Sequence, residues 1–166
     1  MSTQTDLLKI LEENRGEPVS GEALAEKLSL SRSAVWKAIK GLRDKGYQIT
    51  SKTRQGYTLC KSNDILSAAS IAPWLKDPAQ ADRLEVYPSL DSTNSFGKER
   101  ALAGAPDGTV IIAESQTGGR GRMGRTFFSP GGSGIYLSII LRPGTAISQS
   151  LFITIAASVL IRQAIA

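Results

Sequence analysis

Two serines, Ser20 and Ser31, restrict most strongly what this chain can fold into. Each stands before a run whose apolar residues recur at helical spacing. There a serine hydroxyl can accept a hydrogen bond from a free backbone N–H of the first turn. The helix after Ser20 carries Ala23, Leu24 and Leu28, and the break Ser29-Leu30-Ser31 ends it. The helix after Ser31 carries Val35, Ile39 and Leu42 at i, i+4 and i+7, and Gly46 stops it. An earlier stripe, Leu7, Leu8, Ile10 and Leu11, marks a first helix over roughly Thr3–Asn14. Helices joined by so short a break form a helix-turn-helix. Behind it, Tyr47–Thr50 and Tyr57–Leu59 flank the polar stretch Lys52–Gly56, which predicts a hairpin. A hairpin in that place is a wing, with Lys52 and Arg54 at its tip.

The third helix is two-sided. Val35, Trp36, Ile39 and Leu42 are expected to face the core, Trp36 included. Arg32, Lys37, Lys40, Arg43 and Lys45 stand against one acid, Asp44. A recognition helix reads base edges near its N-terminus and holds phosphates with lysine and arginine. That geometry makes Arg32, Ser33 and Lys37 the base-edge candidates, and Lys40, Lys52 and Arg54 the phosphate candidates, with the capping Ser31 in the same DNA-binding set. The competing readings are a solvated basic face on an ordinary helical domain, or a helix-turn-helix that touches only protein.

Composition excludes several functions. The chain has no histidine and a single cysteine, Cys60. No internal disulfide can form, no Ser-His-Asp or Cys-His nucleophile exists, and no metal site is expected. A lone cysteine suits a reducing cytosol or indifference to redox. The N-terminus is polar, so no signal peptide is read there. The longest apolar run, Leu151–Ile161, contains Thr154 and Ser158 and is too short for a membrane helix. A cytoplasmic protein without a membrane partner is expected. The net charge of +5 permits nucleic acid as a partner without requiring it.

The second region mixes strands and helices. Lys61-Ser62-Asn63-Asp64 reads as a linker, and Pro73 and Pro78 punctuate a short helix. Leu84–Tyr87 alternates as a strand. Asp91-Ser92-Thr93-Asn94 caps a helix over about Ser95–Ala103, either as structure alone or as part of a small polar pocket. Val110–Ala113 is a strand that leads to Glu114 and Gln116, and Gly134–Leu141 is a longer one. A last apolar helix, about Ser148–Ala164, needs a sheet to lie on. The predicted divisions are 1–62 for the winged helix, 63–82 for a linker with a short leading helix, and 83–166 for the second domain.

Between the last two strands runs SQTGGRGRMGRTFFSP, residues 115–130. Arg120, Arg122 and Arg125 lie among Gly118, Gly119, Gly121 and Gly124 without an intervening acid. Glycine lets the backbone approach a ligand closely, and arginine offers a permanent charge with a planar fork of donors. A phosphate or carboxylate ligand suits such a loop. The stretch also spells G-x-G-x-x-G and comes close to a P-loop, but both need a helix to start at the glycines. The following F-F-S-P-G-G argues against a helix. A solvated basic loop is the remaining alternative.

Together, Asp91-Ser92-Thr93-Asn94, Gln116, Gly119–Arg125 and Phe128-Ser129-Pro130 resemble the biotin protein ligases. With the winged helix in front, the chain is similar to the bifunctional class that also represses the biotin operon. The resemblance implies an α+β protein: a winged helix-turn-helix, then part of a class II synthetase-like mixed α/β catalytic domain. It implies that biotin and ATP form biotinyl-5′-AMP, with Mg2+ accompanying ATP, and that biotin passes to a lysine of a biotin carboxyl carrier protein. It implies operator DNA as a partner and a homodimer when the adenylate is bound. By the same resemblance Ser92, Thr93, Asn94 and Gln116 line the biotin pocket. Gly119, Arg120, Gly121, Arg122 and Gly124 form the adenylate loop, with Arg120 and Arg122 catalytic. Met123 stands where several relatives carry a basic residue. The family's K-W-P-N-D-type segment is not among these residues, which implies an N-terminal portion or a truncated product with little ligase turnover. A biotin-sensing DNA-binding regulator without ligase activity and a lipoate or octanoate transferase are the alternatives.

Overall fold

A computed structural model of the chain describes residues 3–121, 123, 125–144 and 150–165. Three helices open it: α1 (Thr3–Glu13), α2 (Gly21–Lys27) and α3 (Arg32–Asp44). Both serine caps form. Ser20 Oγ accepts from the Ala23 amide at 3.0 Å, and Ser31 Oγ from the Ala34 amide at 3.1 Å. Strands β1 (Ile49–Lys52) and β2 (Gly56–Leu59) pair antiparallel, with Ile49 opposite Leu59. The hairpin starts two residues later than the alternation suggested, because Tyr47 is buried in the core instead of entering the strand. Lys52 therefore ends β1, and Arg54 alone of the two cations sits in the turn, at φ 65°. Gly56 takes φ 103°, and a Cβ there would run into the Val19 backbone. That close approach is where Val19 and Tyr57 exchange two backbone hydrogen bonds of 2.9 Å, lacing the wing to the body.

Leu7, Leu11, Leu24, Val35, Ile39, Leu42 and Leu59 form the N-terminal core, each almost wholly buried. Each such side chain contributes roughly 1.5–3 kcal/mol on removal from water. Trp36 is not among them. The core face of α3 is Val35, Ala38, Ile39 and Leu42. Trp36 lies about 100° further round the helix and is 53% exposed.

The stretch read as a linker is held down at its start. Asn63 is buried, and its Oδ1 accepts from the Gln48 amide at 3.0 Å. Arg15 donates to the Asn63 carbonyl at 2.7 Å while pairing with the buried Glu12 carboxylate, also at 2.7 Å. Helix α4 (Ala68–Ile71) packs on α1, and Ala69 joins the first core. Two short 3-10 turns, Ala72–Trp74 and Pro78–Arg83, replace the short helix expected around the prolines, since proline removes amide donors there.

The second sheet has the order β3 (Leu84–Tyr87), β4 (Val110–Ala113), β5 (Tyr136–Ile139). β3 and β4 run parallel, joined through helix α5 (Thr93–Leu102), and β5 returns antiparallel to β4. α5 covers one face, where Ile111 and Ile140 are buried with Phe96 and Tyr87 against them. Tyr87 and Phe96 meet edge to face with ring centres 5.0 Å apart. Glu85 and Arg100 tie strand to helix at 2.6 Å. Arg142 closes the end of the unit, donating to the carbonyls of Ala101 (2.6 Å) and Ala105 (3.0 Å). The other face carries Leu137 and Ile139 about half exposed. Helix α6 (Ser150–Ile165) likewise leaves Phe152, Leu160 and Ile161 exposed. Among the described residues no helix is long and apolar enough to cross a membrane.

Candidate functional site

Central strand β4 leaves the sheet at Ala113, but its pairing continues residue by residue. Gln116 bridges Leu90 on one side and Ser129 on the other. The Thr117 amide donates to the Leu90 carbonyl (2.9 Å), and the Gly118 amide donates to the Asp91 carbonyl (2.7 Å). The Asp91–Asn94 turn is thereby set alongside the start of the glycine-arginine loop. Ser92 caps α5 by accepting from Ser95 at 3.4 Å, so the helix begins at Thr93, two residues before the expected start. Ser92 and Thr93 are buried, while Asn94 is exposed on the first turn.

A single chain of hydrogen bonds joins four segments through the Gln116 amide. Ser138 of β5 donates to Thr93 Oγ1 (3.0 Å), and Thr93 donates to Gln116 Oε1 from both its hydroxyl (3.2 Å) and its backbone N–H (2.8 Å). Gln116 Nε2 donates to Ser129 Oγ (3.1 Å), which donates to the Phe127 carbonyl (3.2 Å). Ser129 is 3% exposed and Thr93 5% exposed, so these groups depend on one another for partners. Ser138 was missed in the sequence. The alternation of β5, with Tyr136 and Ser138 turned inward and Leu137 and Ile139 outward, was the available signal for it.

Beyond Gln116 the loop leaves and returns on paired legs. The Phe127 amide donates to the Gly119 carbonyl (2.9 Å), the Gly121 amide donates to the Arg125 carbonyl (2.7 Å), and Arg120 bridges Thr126. Residues 125–130, where either motif would need its helix, are not helical, which removes the dinucleotide and P-loop readings. Gly119 is the residue the geometry requires. A Cβ there would lie 2.5 Å from the Phe127 carbonyl oxygen and 2.7 Å from Ser129 Oγ. Thr117–Gly121, Arg125 and Thr126 line an open hollow of about 590 Å³ with two exposed guanidinium groups and no acid. Such a lining attracts an anion and offers it planar donors. Arg122 and Gly124, both expected in the adenylate loop, lie outside the described residues.

A second candidate surface lies between α3 and the wing, around a hollow of about 490 Å³. Arg32, Trp36, Arg43, Lys52 and Arg54 line it, and Glu22 is the one acid, paired with Arg32 at 3.1 Å. Arg43 Nε donates to the Ile49 carbonyl at 2.8 Å and so fixes the wing against the helix. Ser33, Lys37 and Lys40 are exposed on the same helix, as Lys52 and Arg54 are on the wing. Ser31 is occupied by its cap and by a 2.9 Å contact with Ser33 Oγ. Trp36, expected inside, stands on this surface with Lys40 Nζ 5.9 Å from its ring centre.

The fold is thus a winged helix-turn-helix followed by a helix-backed sheet that carries an arginine-rich loop. In this chain residues 3–58 match the HTH domain family, and residues 86–166 match the Biotin/lipoate A/B protein ligase family. More particularly, it is similar to the bifunctional ligase/repressor BirA of Bacillus subtilis (37% identity over 160 residues, 96% of this chain and 49% of the relative). It is similar also to that of Escherichia coli (39% over 152 residues, 89% and 46%). Across 61 residues it is 44% identical to the biotin–[acetyl-CoA-carboxylase] ligase of Mycobacterium tuberculosis, which is 36% of this chain and 23% of that one. The chain spans about half the length of the bifunctional relatives it matches.

Proposed function

We propose that the chain serves a bifunctional biotin ligase and biotin-responsive transcriptional repressor. Residues 1–62 act as the DNA-binding domain, 63–82 as a linker with a short leading helix, and 83–166 as the ligand-binding part of the catalytic domain. One observation carries the reading: the Gln116 amide holds the Ser92–Asn94 helix start against the leg of a cationic loop, making one polar site from two separate motifs.

In this site Ser92, Thr93, Asn94 and Gln116 bind biotin. Gly119, Arg120, Gly121, Arg122 and Gly124 bind the adenylate. Arg120 and Arg122 bring the biotin carboxylate and the α-phosphate of ATP together and stabilise charge that grows on the phosphorus oxygens as the carboxylate attacks. Pyrophosphate leaves, and the biotinyl-5′-AMP passes its acyl group to the amine of a carrier-protein lysine (a biotin carboxyl carrier protein), forming an amide and releasing AMP and a proton. Mg2+ enters with the triphosphate as part of the substrate. Ser31, Arg32, Ser33, Lys37, Lys40, Lys52 and Arg54 face operator DNA, and adenylate loading favours a homodimer on two half-sites. The chain works in the cytoplasm, where ATP and the carrier are present.

An electrophoretic shift with a two-half-site duplex, with and without biotinyl-5′-adenylate, tests the coupling. The adenylate tightens binding if the reading holds, and unchanged affinity refutes it. Competitive calorimetry with lipoate tests the ligand: biotin displaces the adenylate and lipoate does not.

A further inference from the structure

We propose that Trp36 is a base-reading side chain, an apolar reader of thymine methyl groups in the major groove. The inference rests on the DNA-binding reading of the winged helix and names how that surface tells sequences apart.

Trp36 is 53% exposed although the helix that carries it has a well-filled core face. An indole left in water on a stable helix forgoes the favourable burial that Val35, Ala38, Ile39 and Leu42 obtain. Its surroundings point to one occupant. Ser33 and Lys40 lie one turn before and after it on the same face, and Lys37 is adjacent. Lys40 Nζ lies 5.9 Å from the ring centre, so its charge stands directly beside the indole. Across the hollow the wing presents Lys52 and Arg54, and Arg32 and Arg43 complete the lining. Against these cations stands Glu22, already paired with Arg32. An apolar plate ringed by cations matches a polyanion with apolar groups inside its groove. The thymine C5-methyl is the apolar group that the major groove displays, and apolar side chains contact it there. Trp36 lies on the second turn of α3, the part of a recognition helix that sits over base edges rather than over the flanking backbone.

The test uses the 166-residue chain and a duplex selected by it from a random pool. Affinity is measured by anisotropy for wild type, Trp36→Ala and Trp36→Phe. The duplex is offered with its thymines intact, and again with deoxyuridine at each thymine in turn. Trp36 is exposed, so neither substitution disturbs the core. At one or more positions, deoxyuridine weakens wild type by about fourfold per methyl, the factor that burying one such group carries. Trp36→Ala loses the same factor on the thymine duplex, loses nothing further on the matching deoxyuridine duplex, and keeps the wild-type salt slope because no charge is removed. Trp36→Phe retains most of the thymine preference. Equal affinity of wild type and Trp36→Ala, or equal loss on thymine and deoxyuridine duplexes, overturns the inference while leaving DNA binding intact. A chain that selects and binds no duplex overturns the DNA-binding reading itself.

Discussion

Replacing Gln116 separates the two jobs its side chain performs. In Gln116→Ala, the Thr93 amide and hydroxyl lose their acceptor and Ser129 Oγ loses a donor, with Thr93 and Ser129 both almost fully buried. Three neutral hydrogen bonds at about 1 kcal/mol each set an upper value near 3 kcal/mol. Gln116 is itself only half-buried, so water can replace part of the loss, and about 2 kcal/mol remains. Gln116→Glu behaves differently. It keeps an acceptor for both Thr93 donors, and the Ser129 hydroxyl can turn from the Phe127 carbonyl to the second carboxylate oxygen. Its stability cost stays below about 1 kcal/mol, but it adds a negative charge beside a site built for anions. Native-state hydrogen exchange at the Thr93 amide reads the first effect, and 2 kcal/mol corresponds to about thirtyfold faster exchange. Calorimetry with biotinyl-5′-adenylate reads the second. Exchange should be fastest in Gln116→Ala and binding weakest in Gln116→Glu. Wild-type exchange in Gln116→Ala, or the reverse order in either assay, would refute the reasoning.

Gly119→Ala should cost about 1–3 kcal/mol through overpacking, because its Cβ would crowd the Phe127 carbonyl and Ser129 Oγ. Gly118→Ala, with 3.3 Å to the Asp91 carbonyl, should cost far less, and urea unfolding of the pair checks the order. The hydrogen bond from Arg100 holds the Glu85 carboxyl below its usual 4.5, outweighing burial, which acts the other way. A lowered folded-state pKa means stability present above 4.5 and lost as pH falls through the lower folded value. Glu85→Gln should therefore flatten the acid limb of a melting-temperature profile and leave its shape near neutrality unchanged. The exposed Phe152, Leu160 and Ile161 of α6 predict binding of the dye ANS by the folded chain. Phe152→Lys with Leu160→Lys should reduce that emission without loss of helical circular dichroism.

The N-terminal half was largely legible because its signals are local. Ser20 and Ser31 act within three residues of themselves, and the i, i+4, i+7 spacing of Val35, Ile39 and Leu42 fixes a face without tertiary information. Trp36 has apolar neighbours in the helical period yet stands outward, about 100° round the helix from Val35, and the small Ala38 holds the inward place. The loop's cationic, non-helical character could be read from residue types and from the helix-breaking Pro130-Gly131-Gly132. Its assembly was not legible. Gln116, Thr93, Ser129 and Ser138 meet through contacts spanning up to 45 positions, and serine and threonine carry no sequence mark that tells a cap from a network member. The pinned Asn63 escaped notice for the same reason, since a polar residue after a strand reads as linker until its buried partner is known.

In the proposed reading, the Gln116 junction and the arginine loop together make a site for a biotin adenylate. Calorimetric titration of biotinyl-5′-adenylate into the chain and into Arg120→Ala tests it most directly. Binding should be saturable and one-to-one, and Arg120→Ala should weaken it at least about tenfold, the lower end for losing a charge-assisted hydrogen bond. Absence of binding to the wild-type chain, or equal affinity in the two proteins, would contradict it.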